Sequence, residues 1–264
     1  MGLIHNETAA LRPTGADRNK VGRKNRAAEC RRGATMKVLR WLPVVAGLVA
    51  SAGYGQDPQP QGQSVASASG RLDMAQAAIV ARLRDPAVLV RRAAILALQA
   101  IGPKARAAIP AIAELLRDRD GYIRSDASHA LVSLGPEAVP SVMGVLCDED
   151  ARVRELAVRT LREFGEDAKD AVPALIARLE DRDATVRQTT IRALQAIGPK
   201  LSKAAIPALA VLLRDKDGYV RIDAARTLVR MGTDAVPNVT AMLCDADPRV
   251  RELALRTLQD IEEQ

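Results

Sequence analysis

The stretch Leu115 to Arg124 reads Leu-Leu-Arg-Asp-Arg-Asp-Gly-Tyr-Ile-Arg. It sets the Asp118 and Asp120 carboxylates close to the Arg124 guanidinium, the raw material of an acid–base site. The phrase returns almost unchanged from Leu212 to Arg221. Its core, Asp-x-Asp-x-x-Val-Arg, runs again from Asp148 to Arg154, Asp181 to Arg187 and Asp245 to Arg251. Asp85 to Arg91 is a worn version, with Ala87 at the second aspartate. A grouping that recurs this often in one chain reads as scaffold rather than as a set of active centres.

Other chemistry is scarce. Histidine is limited to His5 and His129, so no H-E-x-x-H site can form. Nucleophile elbow, phosphate loop and dinucleotide fingerprint are all missing from the sequence. Cys30, Cys147 and Cys244 are widely spaced, with no CxxC pair, so neither a metal site nor a disulfide framework is expected. No catalytic residue, cofactor or metal is assigned, and the chain is expected not to be an enzyme.

The net charge of +7 invites a nucleic-acid reading, and its placement argues against one. Residues 1–35 carry eight basic and three acidic side chains, while residues 56–264 carry 29 of each. The basic character belongs to the N-terminus. Met36 to Trp41 is a short basic segment, Leu42 to Ala52 is apolar, and small residues follow, the layout of an export signal. The apolar run is too short to span a bilayer as a helix. Residues 1–35 are expected to be an over-called start, disordered; 36–55 a signal peptide; 56–70 a flexible linker rich in Gln, Pro, Ser and Gly. The protein is therefore expected to be exported, to the periplasm or beyond, with no stable membrane span after signal cleavage.

From about Arg71 the chain is organised by repetition. Counting from Arg91, Arg124, Arg154, Arg187, Arg221 and Arg251, an Asp lies six residues before each. A Pro lies fourteen before in all but the first unit, and a Gly eleven after in all but the last. Each unit predicts two helices. The first opens at the Pro, and the second is capped by Asp120, Asp150, Asp183, Asp217 or Asp247 and ended by the Gly. The units fall at about 71–105, 106–138, 139–170, 171–203, 204–235 and 236–264. A longer period overlies them. Leu98 to Lys104 recurs 96 residues on at Leu194, and Leu146-Cys147-Asp148 recurs 97 on at Leu243, so units 1–3 read as duplicated into 4–6.

The helix-start Pro, the Asp and the Val-Arg resemble HEAT repeats, in particular the PBS-lyase HEAT-like type of bacterial proteins. The resemblance covers about residues 71–264. It implies an all-α solenoid, a right-handed superhelix of about six stacked helix pairs. It also implies an inter-repeat ladder of Asp118, Asp148, Asp181, Asp215 and Asp245 with Arg124, Arg154, Arg187, Arg221 and Arg251. Second helices of such solenoids line the concave face, and their usual role is to hold protein partners.

Five residues past each ladder arginine lies a column of Leu96, His129, Arg159, Arg192, Arg226 and Arg256. Glu155 and Glu163 sit four residues either side of Arg159, and Glu252 and Asp260 either side of Arg256, spacings that quench charge within a helix. Arg192 has Gln188 and Ala196 instead, and Arg226 has Ile222 and Arg230, though Asp223 is near. Arg192, Arg226 and Arg230 are therefore the main candidates for meeting an acidic protein segment. Tyr122 and Tyr219 are either contact residues or covers for the inter-helix turn. Cys147 and Cys244 are either small buried side chains or, in an oxidising compartment, intermolecular disulfide partners.

The expected function is a non-enzymatic interaction scaffold that binds a protein on its concave helix face. An alternative, which the resemblance supplies, is a lyase or isomerase acting on a bilin chromophore-protein; the export signal argues against it. A third, nucleic-acid binding, is disfavoured by the neutral array.

Overall fold

The computed structural model describes residues 65–198, 200 and 202–263. Of the two units into which the chain divides, 1–58 and 59–264, these belong to the second. The expected leader, the signal segment and most of the expected linker lie outside the described residues. The linker needs one correction: its last residues, from Val65, already belong to a helix.

The described residues form helix pairs and no strand. Repeat 1 comprises α1 (Val65–Arg82) and α2 (Val88–Ile101); repeat 2, α3 (Ile109–Glu114) and α4 (Gly121–Leu134). Repeat 3 comprises α5 (Val139–Met143) and α6 (Ala151–Phe164); repeat 4, α7 (Val172–Arg178) and α8 (Ala184–Ile197). Repeat 5 comprises α9 (Ile206–Val211) and α10 (Gly218–Met231); repeat 6, α11 (Val236–Ala241) and α12 (Pro248–Glu262). Each second helix packs on the second helix of the next repeat, building one continuous solenoid.

The turn phrase explains the pairing locally. The first aspartate accepts the backbone N–H two residues on, as in Asp120 N–H to Asp118 Oδ1 at 2.9 Å. The second aspartate then caps the next helix: Asp217 accepts from the N–H groups of Tyr219 and Val220. These bonds satisfy donors that a helix start leaves open. The second helices of repeats 1–5 end at Gly102, Gly135, Gly165, Gly198 and Gly232, all at positive φ, where a Cβ would be strained. Pro110, Pro140, Pro173, Pro207 and Pro237 sit in the first turn of a first helix, where the missing N–H costs nothing.

The core between the two helix layers is Ala, Leu, Ile and Val with Met231, and Phe164 is its one aromatic among the described residues. Small side chains let these short helices approach closely, which compensates for the shortage of rings.

Repeat 1 lacks the cap. Ala87 has the same extended backbone (φ −79, ψ 122) as the capping aspartates but offers no acceptor. Ala87→Asp is expected to raise stability by about 1 kcal/mol, read as a higher urea midpoint at unchanged slope.

Candidate interaction surface

Every ladder arginine first serves its own repeat. Arg154 donates through Nη1 to the backbone oxygens of Asp148 (2.8 Å) and Glu149 (2.9 Å), and the same two-carbonyl clamp recurs at Arg91, Arg124, Arg187, Arg221 and Arg251. The clamp pins the turn between the two helices of a repeat.

Three of these arginines also reach the next repeat. Arg154 grips Asp181 at two points, Nε to Oδ2 at 2.8 Å and Nη2 to Oδ1 at 2.7 Å. Arg187 grips Asp215 in the same way at 2.6 Å, and Arg91 grips Asp118 at 2.8 Å. Burial alone would raise the Asp181 carboxyl. The Arg154 hydrogen bonds, the Asp183 N–H and the charges of Arg154 and Arg178 outweigh burial and hold it below the usual carboxylate range.

The ladder changes hands at two junctions. Arg124 and Arg221 make no ion pair among the described residues; each folds back over the glycine that starts its helix, Gly121 or Gly218. Asp148 and Asp245 are met instead by Arg117 and Arg214, from the ends of the preceding repeats' first helices. Local competition makes the exchange possible: in repeats 2 and 5 an arginine stands one residue before the ladder aspartate, where repeats 3 and 6 have Cys147 and Cys244 and repeat 4 has Glu180; repeat 1 has Arg84 there, yet at its junction Arg91 keeps Asp118. The residue before the ladder aspartate is exposed in every repeat. It follows the buried core leucines, as Arg117 follows Leu115 and Leu116, and so turns outward. The buried reading of Cys147 and Cys244 is thereby corrected: both are exposed free thiols.

The column five residues past the ladder lies on the open side of the second helices, and Leu96, His129, Arg159, Arg192, Arg226 and Arg256 are all exposed. Their pairing departs from the spacing argument at Arg159 and Arg192 and follows it at Arg226 and Arg256. Arg159 makes no ion pair among the described residues, despite Glu155 and Glu163. Arg256 does pair with Glu252, at 2.6 Å. Arg192 lacks a partner on its own helix but reaches across to Asp223 of repeat 5 at 3.3 Å, while Arg226 meets the same carboxylate from its own helix at 3.9 Å. Gln188 also donates to Asp223, as Arg92 donates to Asp126 three repeats earlier. Arg230 is exposed with no ion pair among the described residues.

Tyr122 and Tyr219 are about three-quarters exposed, so neither covers the turn. On α10, Tyr219, Ile222, Arg226 and Arg230 follow one another at helical spacing, all exposed. On α4 the corresponding line is Tyr122, Ser125, His129 and Ser133. The column count did not single out Ile222, Asp126, Arg117 or Arg214, and it took Asp223 only as a neighbour of Arg226. All but Ile222 repeat their residue type 97 positions apart, and that recurrence was the signal that could have found them.

A model of HEAT repeats matches residues 77–143, 112–195, 145–228 and 206–264, together more than half of the chain. The chain belongs to the HEAT repeats family. No curated protein matches it. Among solved structures, this HEAT-repeat chain is similar to an engineered protein, at 22% identity and a TM-score of 0.42, over 70% of this chain and 95% of that one. It is similar to computationally designed armadillo repeat proteins for modular peptide recognition, at 18% and 0.43, over 69% and 98%. It is also similar to the complex of CpcE and CpcF of phycocyanin lyase from Nostoc sp., at 24% and 0.44, over 57% and 98%. Likeness at this level carries no argument about function. No His/Cys/Asp/Glu group able to hold a metal occurs among the described residues, and none of their helices is long and apolar enough to cross a membrane.

Proposed function

We propose that this HEAT-repeat array is a non-enzymatic scaffold that holds an acidic segment of a partner protein against the open face of its second helices, centred on repeats 4 and 5. The observation that carries the reading is the exposed line of Tyr219, Ile222, Arg226 and Arg230 on α10, with Arg192 beside it on α8. An aromatic and an aliphatic side chain supply desolvated contact area, and the guanidinium forks match carboxylates. The Arg192–Asp223 contact is half-exposed and so worth little, and an incoming carboxylate competes with it readily. Export through a signal at residues 36–55 places the partner outside the cytoplasm.

The test is fluorescence anisotropy with labelled peptides that mix Asp/Glu with apolar residues, run on the wild type and on Arg192→Glu/Arg226→Glu. The double variant should bind at least about tenfold more weakly, a loss of roughly 1.4 kcal/mol. Wild-type affinity should fall as salt rises. Equal affinity of the two proteins, with both folded by circular dichroism, removes this site.

A further inference from the structure

The two ends of the array carry the two halves of a junction that already exists in its middle. Repeats 1–3 match repeats 4–6 at offsets of 96 and 97 residues. The face that repeat 3 turns toward repeat 4 therefore has a counterpart on repeat 6. The face that repeat 4 turns toward repeat 3 has one on repeat 1.

Burial separates the copies. On α6, Leu156, Val158 and Leu161 are buried, with α8 packed against that helix. Their counterparts on α12 are Leu253 and Leu258, both half-buried, and Leu255, 50% exposed. On α8, Val186, Thr189, Ala193 and Ile197 are buried. Their counterparts on α2, Val90, Ala93, Ala97 and Ile101, are only half-buried and line one side of that helix at helical spacing. Each end thus shows apolar surface that its duplicate keeps covered.

The charges match as well. Asp181 accepts the Asp183 N–H at 3.0 Å, sits 3.6 Å from Arg178, and receives Arg154 from the preceding repeat. Its counterpart Asp85 accepts the Ala87 N–H at 2.9 Å and sits 3.5 Å from Arg82, and it has no arginine from another repeat among the described residues. The counterpart of Arg154 is Arg251. Its Nη1 is engaged by Asp245 O and Ala246 O, and the rest of its guanidinium makes no ion pair among the described residues.

We infer that copies of this chain associate head to tail, repeat 6 of one docking on repeat 1 of the next, through a second edition of the repeat 3–repeat 4 junction. Leu253, Leu255 and Leu258 cover the α2 stripe of the neighbouring copy, and Arg251 takes that copy's Asp85. Such a contact is heterologous, so it extends into a chain of copies unless the rotation closes it.

Sedimentation of the full chain from about 1 to 200 µM tests this, over the micromolar range where an interface of about 8 kcal/mol is half-formed. The mass should climb above that of a single chain as concentration rises. Leu255→Glu alters an exposed position and should keep its fold by circular dichroism. It should weaken the association at least about tenfold, which is roughly 1.4 kcal/mol. A cross-link reads the orientation. Cys147 and Ala177 line one groove at the repeat 3–repeat 4 junction, and their counterparts are Cys244 and Ala81. With Cys30 and Cys147 replaced by serine, Ala81→Cys and a short bismaleimide should give a ladder of linked copies that Cys244→Ser abolishes. Single-chain mass throughout the range overturns the inference. So does association that Leu255→Glu leaves intact and the Ala81–Cys244 cross-link fails to trap.

Discussion

Arg154→Ala lowers the unfolding free energy by about 3 kcal/mol, whereas Arg117→Ala lowers it by less than about 1 kcal/mol. Both arginines close an inter-repeat rung, and solvent separates them. The Arg154 and Asp181 side chains are 4% and 2% exposed, against 36% and 17% for Arg117 and Asp148. Removing Arg154 strands a buried carboxylate and abolishes a two-point grip. Arg178 at 3.6 Å is too loosely placed to replace it, though its charge keeps the loss at the lower end of the range for a broken buried pair. At the exposed rung, water takes over from the missing guanidinium. Urea denaturation of the two variants side by side checks the ordering, and similar losses would contradict it. The Arg154 variant also tests acid sensitivity. The Asp181 carboxyl is held below its unfolded value of about 3.9, so its contribution is whole above about pH 4 and drains as pH falls through the lower folded value. Arg154→Ala should flatten that part of the stability–pH curve.

Leu161→Ala costs about 2–5 kcal/mol, and its counterpart Leu258→Ala costs clearly less, about 1 kcal/mol. The two leucines occupy the same position of duplicated repeats. Leu161 is fully buried between α6 and its neighbours, so truncation leaves a cavity that short, closely packed helices cannot collapse into. Leu258 is half-buried at the end of the array, where solvent fills the space. Denaturation at protein concentrations low enough to keep copies apart gives both values. Equal losses would mean that the two leucines are not in different environments.

Much of the scaffold was legible from residues close in sequence. Asp120, Asp217 and their counterparts are caps because a carboxylate two residues before a helical N–H can reach it. Gly102 and the later glycines end helices because that turn needs positive φ. The exposed position of Cys147 was legible too, had its column been read downward: Arg84, Arg117, Glu180 and Arg214 share it, and a position that takes Arg and Glu is a surface position. The pairing of Arg192 was not legible by looking four residues either way along its own helix. Its partner Asp223 lies 31 residues on, in the next repeat.

By itself, then, the sequence determined the repeated helix pair, its aspartate caps and its glycine stops, because all of these depend on contacts within about a dozen residues; the helix from Val65 and the arginine clamp inside each turn came from the structure. The tertiary structure alone decided which arginine closes each rung. Arg124 and Arg154 stand in the same sequence phrase, yet Arg154 is buried against Asp181 while Arg124 yields Asp148 to Arg117. The contest is settled across about 30 residues, by which guanidinium the stacked helices bring within reach of the carboxylate, and no repeat taken alone contains both competitors and the prize.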